Sequence, residues 1–189
     1  MKVMEPISNK KEFDELTINL RDLAYSYIEK YSPSKQQIKT YLLKKYLTKF
    51  KGSKQKKEIS NIIDNIVMSL EKSHFLNDKL YSDSKARVLF RRGYSLKKIT
   101  HSLRSKGIEQ ENIKLSLDKI ISDKSDPDYI SAMKICKKRR IGPMRIHSNR
   151  EIFYKKDIGI LARSGFSYDL SKKILSMTKE EFEKLIKLI

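Results

Sequence analysis

Apolar residues recur at three- and four-residue steps through most of this chain. Ile59, Ile62, Ile63, Ile66, Val67 and Leu70 fall on one helical face at that spacing. Ile113, Leu117, Ile120 and Ile121 repeat the pattern, as do Leu170, Ile174 and Leu175, and then Phe182, Leu185 and Ile186. The alternation of a half-buried strand persists nowhere. Polar punctuation agrees. Ser32-Pro33 and Asp126-Pro127 each set a capping side chain before a proline, which loses nothing at a first helical position. Ser95 precedes Leu96 and Ile99 and caps that segment, and Thr178 with Glu181 fits a capping box. Gly107 and Gly165 close the helices before them in the left-handed conformation. The pattern predicts helices at about 19–31, 33–48, 56–72, 78–92, 95–106, 109–121, 127–139, 151–164, 167–176 and 179–188. Basic loops are expected at 49–55 and 140–150, and a loose stretch at 1–17 apart from a turn around Phe13 to Leu16.

The helical pattern also repeats. Ser34, Ile38, Leu42 and Lys45 have the same spacing as Ser95, Ile99, Leu103 and Lys106. Each set reads as a helix start, two core contacts and a cation near the helix end. A degenerate third copy places Leu161 and Gly165 opposite Leu103 and Gly107, with Asp157 where Ile99 would be. Arg92-Gly93-Tyr94-Ser95 is echoed by Arg163-Ser164-Gly165-Phe166-Ser167. The expected fold is all-α: a tandem array of three three-helix, helix-turn-helix-like units forming an elongated, curved molecule. The units are expected at 19–75, 76–124 and 126–177, with an N-terminal extension at 1–18 and a closing helix at 178–189. Units of this size are marginal alone and become stable by docking on neighbours.

Composition narrows the partners. The chain has 189 residues, 42 Lys and Arg, 23 Asp and Glu, and a net charge of +19. The charge lies in three acid-free windows, 30–57, 84–108 and 129–150, which together carry +25 and leave the remainder at −6. One such window reads as a solvated Lys-rich face. Three in one short chain point to an extended acidic target such as a filament or nucleic acid. The single cysteine, Cys136, permits no internal disulfide. No apolar run approaches the ~20 residues of a bilayer span, and residues 1–20 lack a signal-peptide core, so a cytoplasmic protein is expected.

Candidate catalytic chemistry is sparse. The six glycines build no phosphate-cradling loop. His74, His101 and His147 lie far apart with no ligand-spaced partners, so no metal or other cofactor is expected. Cys136 reads as buried filler, and Asp123, Asp126 and Asp128 as caps at a helix junction. Tyr41, Tyr81 and Phe90 read as core or half-buried rather than as base-stacking platforms.

Leu76-Asn77-Asp78, the helix after it, and Tyr94-Ser95-x3-Ile99-x3-Leu103-x2-Lys106-Gly107-Ile108 resemble the central signature of the RecX family of bacterial recombination regulators. Arg163-Ser164-Gly165-Phe166-Ser167 is similar to the Arg-Arg-Gly-Phe-Ser pattern near the family's C-terminus, with Ser164 in place of the second Arg. Lys98 stands where many members have Arg, and the 140–150 insertion is long. The resemblance covers about residues 19–177. It implies a non-enzymatic modulator that sits in the groove of the RecA filament on single-stranded DNA. It further implies inhibition of recombinase ATPase and strand exchange, and filament disassembly. The expected partners are the RecA filament and single-stranded, possibly double-stranded, DNA. No membrane partner is expected, and the protein should act as a monomer.

The residues selected for partner contact are Arg91, Arg92, Lys97, Lys98, Arg104 and Lys106 in the central unit. Lys44 and Lys45 come from the first unit, and Lys137, Lys138, Arg139, Arg140 and Arg163 from the third. Leu76, Ile99, Leu103 and Gly107 are expected to be structural. A stand-alone basic helical array that binds DNA with little sequence preference is the alternative.

Overall fold

The computed structural model describes residues 10–49, 56–122 and 126–188. Every regular element among them is helical. Ten α-helices follow one another: α1 Lys10–Tyr31, α2 Lys35–Lys49, α3 Lys56–Lys72, α4 Asp78–Arg91, α5 Leu96–Arg104, α6 Gln110–Ile121, α7 Pro127–Arg139, α8 His147–Arg163, α9 Tyr168–Leu175 and α10 Lys179–Ile186. A single 3₁₀ turn, Gly142–Met144, lies between α7 and α8.

The chain divides into two compact units, Met1–Tyr81 and Ser82–Ile189, with the division inside α4. In the first, α1, α2 and α3 pack pairwise. Leu16, Leu20 and Ala24 stack at four-residue steps on α1 and meet Ile38 and Leu42 of α2 and Ile59, Ile62, Ile66 and Leu70 of α3. In the second, α5 packs on α6, α8 on α9, and α7 on both α9 and α10. Met133, Cys136, Leu161, Ile174 and Phe182 are each fully buried there. The expected core positions Ile99, Leu103 and Leu76 are also buried.

Five of the described helices end in one way. The second residue beyond the helical turn donates to a carbonyl five back, and the residue before it to a carbonyl three back. The pairs are Phe75 to Leu70 and His74 to Glu71, Tyr94 to Leu89 and Gly93 to Phe90, Ile108 to Leu103 and Gly107 to Arg104. Ile141 to Cys136 with Arg140 to Lys137, and Phe166 to Leu161 with Gly165 to Ala162, complete the set. This Schellman arrangement satisfies orphan carbonyls and folds an apolar residue back on the helix it leaves. It needs a positive φ, found at Gly93, Gly107 and Gly165 and also at His74 and Arg140.

Several expectations change. α1 begins at Lys10, because Leu16 extends the buried row of Leu20 and Ala24 toward the N-terminus. Ser32 is left-handed, so Pro33 does not open α2. Ser34 starts it instead: its Oγ accepts from Gln37 N–H at 3.3 Å, and Gln37 Oε1 accepts from Ser34 N–H at 3.1 Å. Most of 140–150 is ordered into the 3₁₀ turn and the start of α8. Residues 50–55 of the expected 49–55 loop lie outside the described residues, as does Asp123. The caps at Ser95, Asp126 and Thr178 form as read, the last as a full capping box. The third repeat copy is displaced: Leu161 and Gly165 end α8, which precedes the capped helix as α4 does. Counting from the cap Ser167, the positions matching Ile99 and Leu103 are the buried Ser171 and Leu175.

Candidate polyanion interface

The centre of the candidate surface is the start of α5. Its first turn contains no acid, although an acid there would offset the helix dipole. The missing carboxylate arrives from α7: Leu96 N–H donates to Asp128 Oδ1 at 2.8 Å. Burial holds the Asp128 carboxyl above its ordinary value, opposed by that same hydrogen bond. α2, whose first turn also lacks an acid, is served in the same way by Asp78 of α4, which accepts from Lys35 N–H at 2.9 Å. Asp78 of the Leu76-Asn77-Asp78 motif is thus a packing device. So is Asp128, although its companion Asp126 caps its own helix.

The α8–α9 turn seals this region. Ser95 N–H donates to the Ser164 carbonyl at 3.1 Å. Gly165 lies so close that a β-carbon there would overlap Ser95 Oγ and sit 2.7 Å from Lys98 Cβ. Gly93 is equally constrained, since a β-carbon would come within 2.6 Å of Ile135 Cγ1 on α7. These contacts bring the turn bearing Arg163 against the turn bearing Lys97 and Lys98, with Arg91 and Arg92 just before Gly93. All five side chains are exposed. Among the described residues, none of them forms an ion pair.

The other selected cations are placed differently. Arg104, at the far end of α5, puts Nε and Nη2 on Gln110 Oε1 at 3.3 and 2.8 Å. Lys106 is half-buried in the turn before Gly107. Lys137, Lys138, Arg139 and Arg140 are exposed at the C-terminus of α7, where cations meet the unsatisfied carbonyls favourably. Lys44 and Lys45 are exposed on α2 in the other unit. Lys134, also on α7, is engaged with an aromatic ring. Its Nζ lies 5.8 Å from the Phe90 ring centre, bridging α7 and α4.

The windows that lack acids in sequence do not all lack them in space. Lys35 pairs with Glu71 at 2.9 Å and Lys39 with Asp64 at 2.6 Å, both acids on α3. In the third window, Arg145 grips Asp157 with two nitrogens, each at 2.7 Å. Asp157 is 1% exposed and also accepts from Gly142 N–H at 2.9 Å. Arg150 donates to the carbonyls of Leu175 and Met177, capping the end of α9. A cleft of about 610 Å³ opens beside this network, lined in part by Ile152, Tyr154 and Lys155. Arg145 and Arg150 are therefore structural, and Asp157, read as a repeat defect, is the anchor of Arg145. Its only signal in sequence was that defect. In the central window, Arg91, Arg92, Lys97 and Lys98 have no carboxylate partner among the described residues.

Cys136 is fully buried, and burial, with the Asp157 charge behind it, pushes its thiol up to about 12. Among the described residues no cluster of His, Cys, Asp and Glu suits a metal ion, and no helix is long and apolar enough to cross a membrane.

No protein-family model matches the chain. Solved structures share its fold. The crystal structure of RecX from Lactobacillus salivarius has a TM-score of 0.56 at 16% identity, covering 93% of this chain and 99% of that one. A crystal structure of regulatory protein RecX has a TM-score of 0.62 at 19% identity, covering 94% and 83%. Among curated relatives, regulatory protein RecX of Agrobacterium fabrum (strain C58) is 24% identical over 88% of this chain and 86% of its own. Regulatory protein RecX of Myxococcus xanthus (strain DK1622) is 30% identical over 159 residues, 82% of this chain and 83% of its own. With identity, coverage, helical fold and central signature in agreement, the chain belongs to the RecX family of regulatory proteins.

Proposed function

We propose that the protein binds the RecA–single-stranded DNA filament along its groove and inhibits recombinase ATPase and strand exchange, destabilising the filament. It does so without catalysis of its own, as a cytoplasmic monomer serving recombination and DNA repair. The observation that carries this reading is the exposed, unpaired cluster Arg91, Arg92, Lys97, Lys98 and Arg163 on the turns that hold the family motifs. Those turns are fixed by backbone hydrogen bonds, so only the side chains, and not the backbone that bears them, must be ordered against a polyanionic surface. The chain is read as three three-helix units, 19–75, 76–124 and 126–177, and the central one contributes four of these five cations. Filament ATPase should fall at substoichiometric amounts of the protein. No effect at a stoichiometric excess would sink the proposal. Replacing Arg91, Arg92, Lys97 and Lys98 together by Ala should weaken filament binding with helix content intact.

Stand-alone DNA binding is the second reading, favoured by the exposed Lys137 to Arg140 run. It predicts tight, steeply salt-dependent binding to naked DNA with no change in filament activity.

A further inference from the structure

Unit 1 carries an aromatic row that runs from the edge of its core to an exposed ring. Tyr31, Tyr27 and Tyr41 form a row. The Tyr31 and Tyr27 ring centres are 4.8 Å apart with a 46° tilt, and Tyr27 and Tyr41 are stacked at 4.0 Å and 16°. Tyr27 and Tyr41 lean on the hydrophobic core, whereas Tyr31 is 56% exposed. A cation stands at each end: Lys30 Nζ is 5.3 Å from the Tyr31 ring centre and Lys45 Nζ is 5.6 Å from that of Tyr41.

The charge around the row is arranged unevenly. On α2, Lys35 and Lys39 are neutralised by Glu71 and Asp64. Among the described residues, Lys30, Lys44 and Lys45 have no such carboxylate partner. Glu29 is next to Lys30 in sequence, but adjacent helical residues point away from each other. An exposed lysine over a tyrosine ring is held weakly, by about a twofold to fivefold preference. A π-face with a phosphate-seeking cation beside it is the composition of a stacking platform for unpaired bases.

We propose that this tyrosine row is a base-stacking site for single-stranded DNA. One unpaired base lies on the outer face of Tyr31, backed by Tyr27 and Tyr41, while Lys30 and Lys45 turn from the rings to the flanking phosphates. The site rests on the filament reading only for its choice of single-stranded DNA as ligand. It adds a contact that reads the absence of base pairing, which a phosphate contact does not. Stacking tolerates any base, so little sequence preference follows.

The test uses the full chain and two labelled oligomers of equal length, oligothymidylate and an abasic deoxyribose-phosphate chain, followed by fluorescence anisotropy. The wild type should prefer oligothymidylate. Tyr31→Ala should weaken oligothymidylate binding by about 5- to 150-fold, Tyr31→Phe should restore it, and abasic affinity should stay within about twofold. Lys30→Ala with Lys45→Ala should weaken both oligomers and flatten the salt dependence. Equal affinity of the wild type for the two oligomers, or unchanged oligothymidylate binding by Tyr31→Ala with native helix content, would overturn the site. The filament reading fails separately. A protein that stacks bases but leaves filament ATPase untouched refutes only that reading, and one that inhibits the filament but binds both oligomers alike refutes only the platform.

Discussion

Gly165 supports the candidate surface through its lack of a side chain, and replacing it measures how tightly α5 and α8 are joined. Gly165→Ala meets two costs. At φ +96 an L-residue is strained, by about 1–2 kcal/mol on the usual left-handed penalty. The new β-carbon also lands on Ser95 Oγ and 2.7 Å from Lys98 Cβ, with Lys98 N at 3.2 Å, and such overpacking costs about 1–3 kcal/mol. The sum, about 2–5 kcal/mol, lowers a urea midpoint by about 1–2.5 M at a slope near 2 kcal/mol/M. Gly159 on α8 is the control. It is helical, and its β-carbon would meet Arg163 Nη1 at 3.4 Å, an ordinary contact. Gly159→Ala should therefore stabilise by about 0.4–1 kcal/mol. Urea titration followed by circular dichroism reads both variants. Adding Ser95→Ala separates the two costs. It removes a cap worth about 1 kcal/mol, yet should lessen the Gly165→Ala penalty by relieving the overlap. A Gly165→Ala midpoint equal to wild type, or to that of Gly159→Ala, would refute the packing argument.

Asp157→Asn should destabilise by about 3 kcal/mol, because it leaves Arg145 facing a buried neutral group, whereas Asp64→Asn in the exposed pair with Lys39 should cost under about 1 kcal/mol. Thermal melts compare the two. Asp83 provides a pH test. Burial alone would raise its carboxyl, but hydrogen bonds from Lys119 and Ser116, with the charges of Lys119 and Arg87, bring it below its ordinary 3.8. A carboxyl lowered on folding stabilises fully above its unfolded pKa, and that stability fades as pH falls toward the lower folded value. Wild type should thus lose stability below about pH 4 more steeply than Asp83→Asn; parallel acid limbs would contradict this. Cys136 should resist a thiol reagent at pH 8 in the folded protein and react once denaturant is added, and prompt native-state labelling would show that its burial is wrong.

Local chemistry was legible without coordinates. Period, capping side chains and helix-closing glycines are interactions within a turn or two, so the ten helices among the described residues, the caps at Ser95, Asp126 and Thr178, and the closures at Gly107 and Gly165 follow from the order of residues. The family signature was legible too, because Ile99 and Leu103 keep a spacing that one helix face enforces. Left-handed closures at His74 and Arg140 were not, since a residue other than glycine rarely takes a positive φ and neither position carries the glycine that marks such a closure.

Charge divided most sharply between the two levels. Sequence alone determined that +25 lies in three acid-free windows. Only the tertiary structure decided which of those cations stay available. Glu71, Asp64 and Asp157 come from other helices or turns to neutralise Lys35, Lys39 and Arg145, while Arg91, Arg92, Lys97, Lys98 and Arg163 meet no such partner among the described residues. The physical reason is range. A helix is built by contacts four residues apart, which the chain order encodes. An ion pair forms between any segments that packing brings within a few ångströms, and that is decided only when the helices dock.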